Sequence, residues 1–522
     1  MDFLNKELKS NGIAIIDYGS QYTQLIARRV RELGVFSEIL NHSVSLETIL
    51  QNNPRAIILS GGPNSVFDKK SPTLNKELLK LDIPILGICY GMQLLANELG
   101  GEVKPSDKRE YGLATIQLNH ESSLFKNLNA QELNVWMSHG DSLTQIPEGF
   151  KATSSSSNTP FVAMEDANQK IFGIQFHPEV THTEKGETIL SNFIFEIAKC
   201  KSSWQIDDLA ENIISGLKDK IGNSKVLLGL SGGVDSSVVA GLLHKAIGDQ
   251  LTCIFVDNGL LRLNEGNQVE QTFKKNMNIK LVCVDASDKF LDALKGVTDP
   301  EEKRKIIGNK FIEVFEEESA RLEGVKFLAQ GTIYPDVIES AGGVEGQAAH
   351  VIKSHHNVGG LPEYMKLDLV EPLRSFFKDE VRSIGNAIGI PDSIIRRHPF
   401  PGPGLGVRIL NEVKREYADK LRLADHIFIE ELISNNLYHQ VSQAFAVYLP
   451  IASVGVVGDG RAYEHVIALR AVETKDFMTA NWARLPYDFL ERVSLRIINE
   501  VRGVSRVVYD ISGKPPATIE WE

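Results

Sequence analysis

Short apolar runs alternate with amphipathic stretches through the first 200 residues of the chain. The runs at residues 12–17, 56–59 and 83–88 have the length of buried strands, and the pattern of residues 21–33 and 92–99 is helical. Strands and helices that alternate in this way are typical of an open, largely parallel sheet with ligand loops at the strand ends.

A second alternation of strands and helices follows the polar stretch at residues 199–205, which resembles a linker. Four apolar runs predict strands, and two amphipathic stretches between them predict helices. The strands are expected at 225–230, 251–257, 280–285 and 325–330, and the helices at 268–276 and 303–322. The pattern predicts a second doubly wound α/β domain.

The proline and glycine density at residues 398–406 breaks this alternation and marks a third boundary. Beyond it, a predicted helix at 412–435 is followed by β-branched runs at 453–457 and 504–511, an α+β pattern. The expected fold is therefore two doubly wound α/β domains followed by a smaller α+β C-terminal domain. Their expected bounds are 11–200, 205–397 and 398–522.

Composition and charge narrow the class of protein. A chain of 522 residues is too long for one core and favours three or four domains. A net charge of −12 disfavours a large nucleic-acid footprint, which needs a basic face. Since no apolar run approaches the roughly 20 residues of a membrane span, and residues 1–7 lack an apolar signal core, we expect no membrane partner and no export.

The most informative local signal is the turn S-G-G-V-D-S-S between an apolar strand and an apolar helix. Its glycines allow close approach of a ligand, and the N–H groups at the helix start favour an anion. The serine hydroxyls add donors, whereas Asp235 would repel a bare phosphate and therefore indicates Mg²⁺ between carboxylate and phosphate. The candidate residues are Ser231, Gly232, Gly233, Val234, Asp235, Ser236 and Ser237.

A second strand–turn–helix signal has the spacing of a nucleophile elbow, with Cys89 between two glycines. The following helix N-terminus favours a thiolate there. On an extended segment His177 and Glu179 point to the same face, and Pro178 argues against a helix. Together they form the nucleophile, base and orienting acid that acyl transfer needs.

His139 is a rival base, although Asp141 follows a glycine in a predicted turn and His139 is therefore expected to lack a carboxylate partner at strand spacing. Taken alone, Cys89 would more often be a buried apolar residue and His-Pro-Glu a loop. The elbow and the spacing of His177 and Glu179 together favour catalysis. A free catalytic cysteine also suits a reducing cytoplasm.

Residues 11–200 resemble the class I glutamine amidotransferase family on the strength of these motifs. The resemblance includes Ser60-Gly61-Gly62-Pro63 and implies that the backbone N–H groups of Gly61 and Tyr90 form an oxyanion hole. It also implies that Met137–Asp141 is a loop beside the glutamine site.

The S-G-G-V-D-S-S turn resembles the pyrophosphate loop of N-type ATP pyrophosphatases, which split ATP into AMP and pyrophosphate. With the amidotransferase placed first, the order resembles the GMP synthetase family nearly end to end, including the segment 353–362. That resemblance implies a cytoplasmic carbon–nitrogen ligase that uses XMP, ATP, glutamine and Mg²⁺. It also implies adenine near Val256 and a homodimer formed through the C-terminal domain.

The same resemblance implies the contacts to XMP. Arg304 and Lys514 would bind its phosphate, while Ile519 and Glu520 would contact the purine. The alternatives are another amidotransferase with this loop and a tRNA-modifying adenylating enzyme. The latter would need a basic face, and a thiolating enzyme would need a further reactive cysteine near the ATP site.

Overall fold

The computed structural model describes residues 6–119, 122–166, 168, 170–341, 367–457, 460–474, 477 and 479–522. The segment 353–362 lies outside them. The described chain falls into two compact units, of which the first ends at Asn212 and the second begins at Ile213. Among the described residues, no helix combines the length and the apolar character needed to cross a membrane.

The first unit consists of a sheet with helices against it. Its helices are α1 (Lys6–Ser10), α2 (Thr23–Glu32), α3 (Leu46–Gln51), α4 (Tyr90–Glu98) and α5 (Gly186–Ser191), which continues as a π-helix over Asn192–Ile197. Its strands are β1 (Ile13–Asp17), β2 (Ser37–Asn41), β3 (Ala56–Leu59), β4 (Ile85–Ile88), β5 (Glu102–Leu118), β6 (Glu132–Gln145), β7 (Lys151–Ser156), β8 (Ala163–Asp166) and β9 (Ile171–Ile174).

Within the described part of this unit, nine strands form one sheet in the order β2-β1-β3-β4-β9-β8-β7-β5-β6. The pairings from β2 to β9 are parallel, and the apolar strands β1, β3, β4 and β9 are almost wholly buried, whereas β2 is buried only at its first residue. The predicted parallel sheet is confirmed for these strands. The pairings from β9 to β6 are antiparallel, an extension that the sequence analysis did not predict.

The second unit contains two further sheets. Helix α6 (Ile206–Ile221) crosses the division, and the other helices are α7 (Val234–Ile247), α8 (Glu265–Val269), α9 (Ser287–Ala293), α10 (Pro300–Ser319), α11 (Tyr334–Ala341), α12 (Lys378–Ala387), α13 (Asp392–Ile395), α14 (Arg415–Ser434) and α15 (Tyr487–Glu500). The strands are β10 (Lys225–Gly229), β11 (Leu251–Asp257), β12 (Leu281–Asp285), β13 (Val325–Ala329), β14 (Asp368–Val370), β15 (Gln443–Val457), β16 (Gly460–Glu473), β17 (Asn481–Trp482) and β18 (Val504–Tyr509).

Strands β12-β11-β10-β13-β14 form a parallel sheet, as predicted. The C-terminal sheet places β16 between β15 and β17, with β18 parallel to β16. One core cluster includes Leu227 and Ile254 of the parallel sheet together with Tyr448 and Leu469 of the C-terminal sheet. The two sheets therefore share apolar packing, and the three domain bounds expected from the sequence remain predictions.

Candidate active site

The turn between β4 and α4 presents the side chain of Cys89. Cys89 has φ 51° and ψ −105°, a backbone conformation that is strained for any residue with a side chain. A Cβ at Gly87 would lie 2.6 Å from the backbone of Gly91, and a Cβ at Gly91 would collide with the backbone of Leu59. Both positions must therefore be glycine for the turn to be this sharp.

His177 reaches Cys89, with Glu179 behind it, because β9 lies beside β4 in the sheet. The Cys89 N–H donates to the Ile174 carbonyl over 2.8 Å, which fixes the segment after β9 against the elbow. Nδ1 of His177 lies 2.7 Å from Oε1 of Glu179, and the side chains are 3% and 0% exposed. The ring of Tyr22 packs edge-to-face on the imidazole, with the centroids 5.0 Å apart. The predicted base and orienting acid are thus in direct contact.

The surroundings of His177 favour its protonated form. Burial alone lowers the pKa of His177, because it disfavours the charged imidazolium. The carboxylate of Glu179 and the hydrogen bond to Cys89 act in the opposite direction and raise the pKa of His177 well above its ordinary value. An imidazolium in this position can stabilise a thiolate and later deliver a proton to a leaving amine.

The expectation that His139 lacks a carboxylate partner is wrong. Met137–Asp141 lies in strand β6 rather than in a loop or turn, and His139 pairs in register with Glu110 of β5. Nε2 of His139 lies 3.2 Å from Oε2 of Glu110. Burial nevertheless outweighs the carboxylate and lowers the pKa of His139, the opposite of the shift at His177. Spacing along one strand could not reveal a partner from the neighbouring strand.

The two residues expected to form an oxyanion hole flank the elbow. A Cβ built on Gly61 would lie 3.1 Å from Cε1 of His177 and 3.7 Å from Cβ of Cys89, so the Gly61 backbone borders both side chains. Tyr90 is the first residue of α4, where a backbone N–H has no acceptor within the helix. Its phenol donates to the Pro72 carbonyl over 2.7 Å, which leaves the backbone as its contribution to the site.

Two buried glutamines at this site were not predicted from the sequence. Gln93 lies one helical turn beyond Cys89, and Gln175 lies two residues before His177. Both spacings place a side chain on the same face as a predicted catalytic residue, a signal that could have identified them. Nε2 of Gln175 lies 3.6 Å from Sγ of Cys89.

The S-G-G-V-D-S-S turn connects β10 to α7, with Gly233 at the N-cap of the helix. The hydroxyls of Ser231 and Ser236 lie 2.9 Å apart, and that of Ser237 donates to the Gly233 carbonyl over 2.7 Å. These bonds hold the loop around the helix N-terminus, whose N–H groups are suited to an anion. Val256 lies near the end of the adjacent strand β11 with its side chain in the core, which leaves its backbone to contact a ligand.

Asp235 lies in the first turn of α7 and pairs with Lys378 at the start of α12. Among the residues that the structure describes, none donates a hydrogen bond to its buried Oδ1. The same part of the chain contains no cluster of three or more side chains able to hold a metal. One free carboxylate oxygen beside a phosphate loop fits Mg²⁺, which is commonly bound by one or two carboxylates together with substrate phosphates.

Two cationic side chains near this loop were not predicted from the sequence. Lys378 contacts Asp235 across 143 residues of sequence. Arg397 pairs with Glu265 at 2.7 Å and reaches the Gly232 carbonyl at 3.4 Å. No local pattern could have indicated either one, because each arrives from a distant element.

The residues expected at XMP are distributed around the C-terminal segment. Arg304 donates to the backbone carbonyl of Glu522, and Nζ of Lys514 donates to the Phe477 carbonyl over 2.8 Å. The Ile519 side chain packs into the core of the C-terminal sheet.

Glu520 forms a two-pronged pair with the fully buried Arg408, at 2.8 and 3.0 Å, and accepts from Gln443 over 2.7 Å. Arg408 is a further functional candidate, which was not predicted from the sequence. No described contact joins Lys514 to Arg304.

The fold and the two sites define a class I glutamine amidotransferase joined to a nucleotide-activating synthetase. The glutamine amidotransferase class-I family model matches residues 14–197, the NAD synthase model matches residues 206–309, and the GMP synthase C terminal domain model matches residues 430–521.

Full-length relatives agree with these matches. Proteins named GMP synthase (glutamine-hydrolyzing) from Methylobacillus flagellatus and Teredinibacter turnerae are each 59% identical to this chain, covering 98% and 99% of it and 99% and 100% of their own lengths. The chain belongs to the glutamine-hydrolysing GMP synthase family. The family predicted from the sequence is confirmed, and the tRNA-modifying alternative is set aside.

Proposed function

We propose that this chain converts XMP to GMP with nitrogen from glutamine, while ATP is split to AMP and pyrophosphate. The observation that carries the proposal is the contact of His177 with Glu179 at the Cys89 elbow, in a chain that also holds a pyrophosphate loop. Membership of the family supplies the identity of the nucleotide.

The first unit would release ammonia from glutamine. The Cys89 thiolate attacks the side-chain amide, and the N–H groups of Gly61 and Tyr90 hold the oxyanion that develops. His177, oriented by Glu179, protonates the departing ammonia and then activates the water that releases glutamate. The raised pKa of His177 suits the first of these steps, since the imidazolium is available at neutral pH.

The second unit would activate XMP. The 2-oxygen of XMP attacks the α-phosphorus of ATP, and pyrophosphate leaves onto the N–H groups and hydroxyls of residues 231–237. Ammonia then displaces AMP at C2. Mg²⁺ on Asp235 would neutralise charge on the phosphates when bound, and Lys378 would supply a second positive charge there.

The XMP contacts are proposed at Arg304, Lys514, Ile519 and Glu520. Arg304 lies in α10 with its guanidinium against the C-terminal residue, where a phosphate could replace the Glu522 carbonyl as acceptor. Glu520 is held by Arg408, so its orientation toward a purine would be fixed before binding.

A homodimer is proposed through the C-terminal sheet. Val454 of β15 faces Tyr463 of β16 in register, and both are more than half exposed, as is Val456 at 77%. A contiguous group of exposed apolar residues on one hairpin is typical of a protein interface. The proposed compartment is the cytoplasm, where Cys89 would stay reduced.

The decisive experiment supplies the purified protein with XMP, ATP and glutamine and measures AMP, GMP and glutamate. All three should appear in equal amounts, and AMP should be lost when XMP is omitted. Parallel reactions with UTP or tRNA in place of XMP are the matched controls. AMP formed with either of those, and not with XMP, would overturn the proposal.

A further inference from the structure

Gln175 is wholly buried and directs its side-chain amide at the proposed nucleophile. Its Nε2 lies 3.6 Å from Sγ of Cys89, within hydrogen-bonding distance for sulfur. Two backbone bonds fix its position, because its own N–H donates to the Val162 carbonyl over 2.8 Å and the Cys89 N–H donates to the Ile174 carbonyl over 2.8 Å. The contact is therefore built into the joined backbones of the two segments.

The direction of this hydrogen bond follows from a chain of contacts. The Asp141 backbone carbonyl can only accept, so the Gln93 atom 2.9 Å from it must be Nε2. That nitrogen also lies 3.4 Å from the Gln175 side chain, which must therefore present Oε1 to it. The remaining Gln175 atom, the one facing Cys89, is Nε2 and can only donate.

A donor at this position has different effects on the two forms of the cysteine. An N–H bond to an ionised acceptor is roughly twice as strong as a neutral one, so Gln175 favours the thiolate over the thiol. The Ser138 carbonyl, 3.5 Å from Sγ, has the opposite effect because it can accept only from the thiol. Among the described ionisable groups, His177 hydrogen-bonds to Cys89 and is paired with Glu179, while His139, paired with Glu110, interacts with His177.

We propose that Gln175 is a positioning residue for glutamine hydrolysis, which holds Sγ of Cys89 and stabilises its thiolate through Nε2. Gln93 acts behind it by fixing the orientation of the amide. This inference rests on the proposed role of Cys89 as nucleophile and adds a donor that is independent of the imidazolium of His177.

The test measures the rate at which iodoacetamide alkylates Cys89 in the full-length protein as a function of pH, by mass spectrometry of the Cys89 peptide. Gln175→Met removes the donor at similar volume, and Gln175→Glu replaces it with an acceptor. The pH of half-maximal alkylation should rise by about one unit in Gln175→Met, with a rate about tenfold lower on the acid side. It should rise further in Gln175→Glu, since a carboxylate opposes a neighbouring thiolate.

Two other cysteines are internal controls. Buried Cys200 should stay unmodified in every variant whose first unit is folded, and exposed Cys283 should react at the same rate throughout. If Cys200 is alkylated in Gln175→Met, the first unit of that variant is not folded, and Gln175→Asn is measured in the same way. Gln175→Asn withdraws the amide by one methylene, so its pH of half-maximal alkylation must also be raised.

An unchanged midpoint in a folded variant overturns the inference. A packing role alone would change the rate equally at all pH values. Alkylation needs neither glutamine nor XMP, so this outcome would leave the proposed function standing. The proposed function fails separately if Cys89→Ala retains glutamine hydrolysis.

Discussion

At Cys89 the turn between β4 and α4 presents a side chain, whereas at residues 231–237 the turn between β10 and α7 presents backbone N–H groups and hydroxyls. The first turn stores strain in a cysteine with positive φ. The second is held by hydrogen bonds among its own serines. The same strand–turn–helix plan can thus expose a nucleophile or a surface for phosphate.

The two sites also differ in where their charged residues originate. His177 and Glu179 lie in the segment that follows β9, and Cys89 directly follows the neighbouring strand β4. The first site is therefore assembled at the carboxyl ends of two adjacent strands of one sheet. Asp235 instead pairs with Lys378 from a helix far along the chain. Substitutions at each site should therefore separate the two half-reactions.

The largest expected effect is that of Cys89→Ala. Glutamine-dependent GMP formation should fall by roughly a thousandfold or more, because the covalent step is lost. Ammonia-dependent formation should remain close to the wild type. Both rates are measured with glutamine and with ammonium chloride, and Cys283→Ala is the matched control. An equal loss of both rates would contradict the separation of the two sites.

Asp235→Asn should produce the converse pattern, with AMP formation reduced about a hundredfold or more with either nitrogen donor. AMP formation falls because the variant lacks the carboxylate beside the phosphates. Chelation of Mg²⁺ in the wild type should reduce AMP formation in the same way. Glutamine hydrolysis should continue. Asp249→Asn, at an exposed position after α7, is the control. Near-normal pyrophosphate release would exclude Asp235 from the chemistry.

Lys514→Ala tests the C-terminal part of the second unit. XMP binding should weaken by about 1.5–3 kcal/mol, the range for a hydrogen bond to a charged group. The change should appear in the KM for XMP and in calorimetric titration, while ATP affinity without XMP and glutamine hydrolysis stay constant. Lys326→Ala, on an exposed position of β13, is the control. An unchanged Kd would mean that Lys514 is ordinary surface.

The smallest expected free-energy change is the effect of Glu179→Gln on stability, which is measured apart from the loss of glutamine hydrolysis that follows from its role in orienting His177. The raised pKa of His177 means that its pairing with Glu179 stabilises the fold fully below the unfolded value of about 6.5 and less as pH rises through the folded value. The variant should thus lose about 1–2 kcal/mol more unfolding free energy at pH 6 than at pH 9. Urea unfolding of both proteins at the two pH values measures this, and a loss that does not depend on pH would contradict it.

Sequence patterns identified strands β1, β3 and β4 of the first unit and β10 to β13 of the second, since buried parallel strands are short apolar runs with glycine at their ends. They did not predict the full length of β15, which begins at Gln443 rather than at the expected Ser453. The antiparallel strands β5 and β6 were missed as well. Their alternating polar and apolar positions lack the continuous apolar signal of a strand buried on both faces.

The sequence by itself determined both turns, because each one depends on residue types at fixed local spacing. The glycines on either side of Cys89 leave room for a turn that a Cβ would block, and the glycines and serines around Asp235 supply the conformational freedom and the local hydrogen bonds of the second turn. The tertiary structure alone decided which distant groups meet these turns: Glu110 beside His139, Lys378 beside Asp235, and Gln175 beside Cys89. Such contacts depend on strand order and helix packing, which local spacing does not specify.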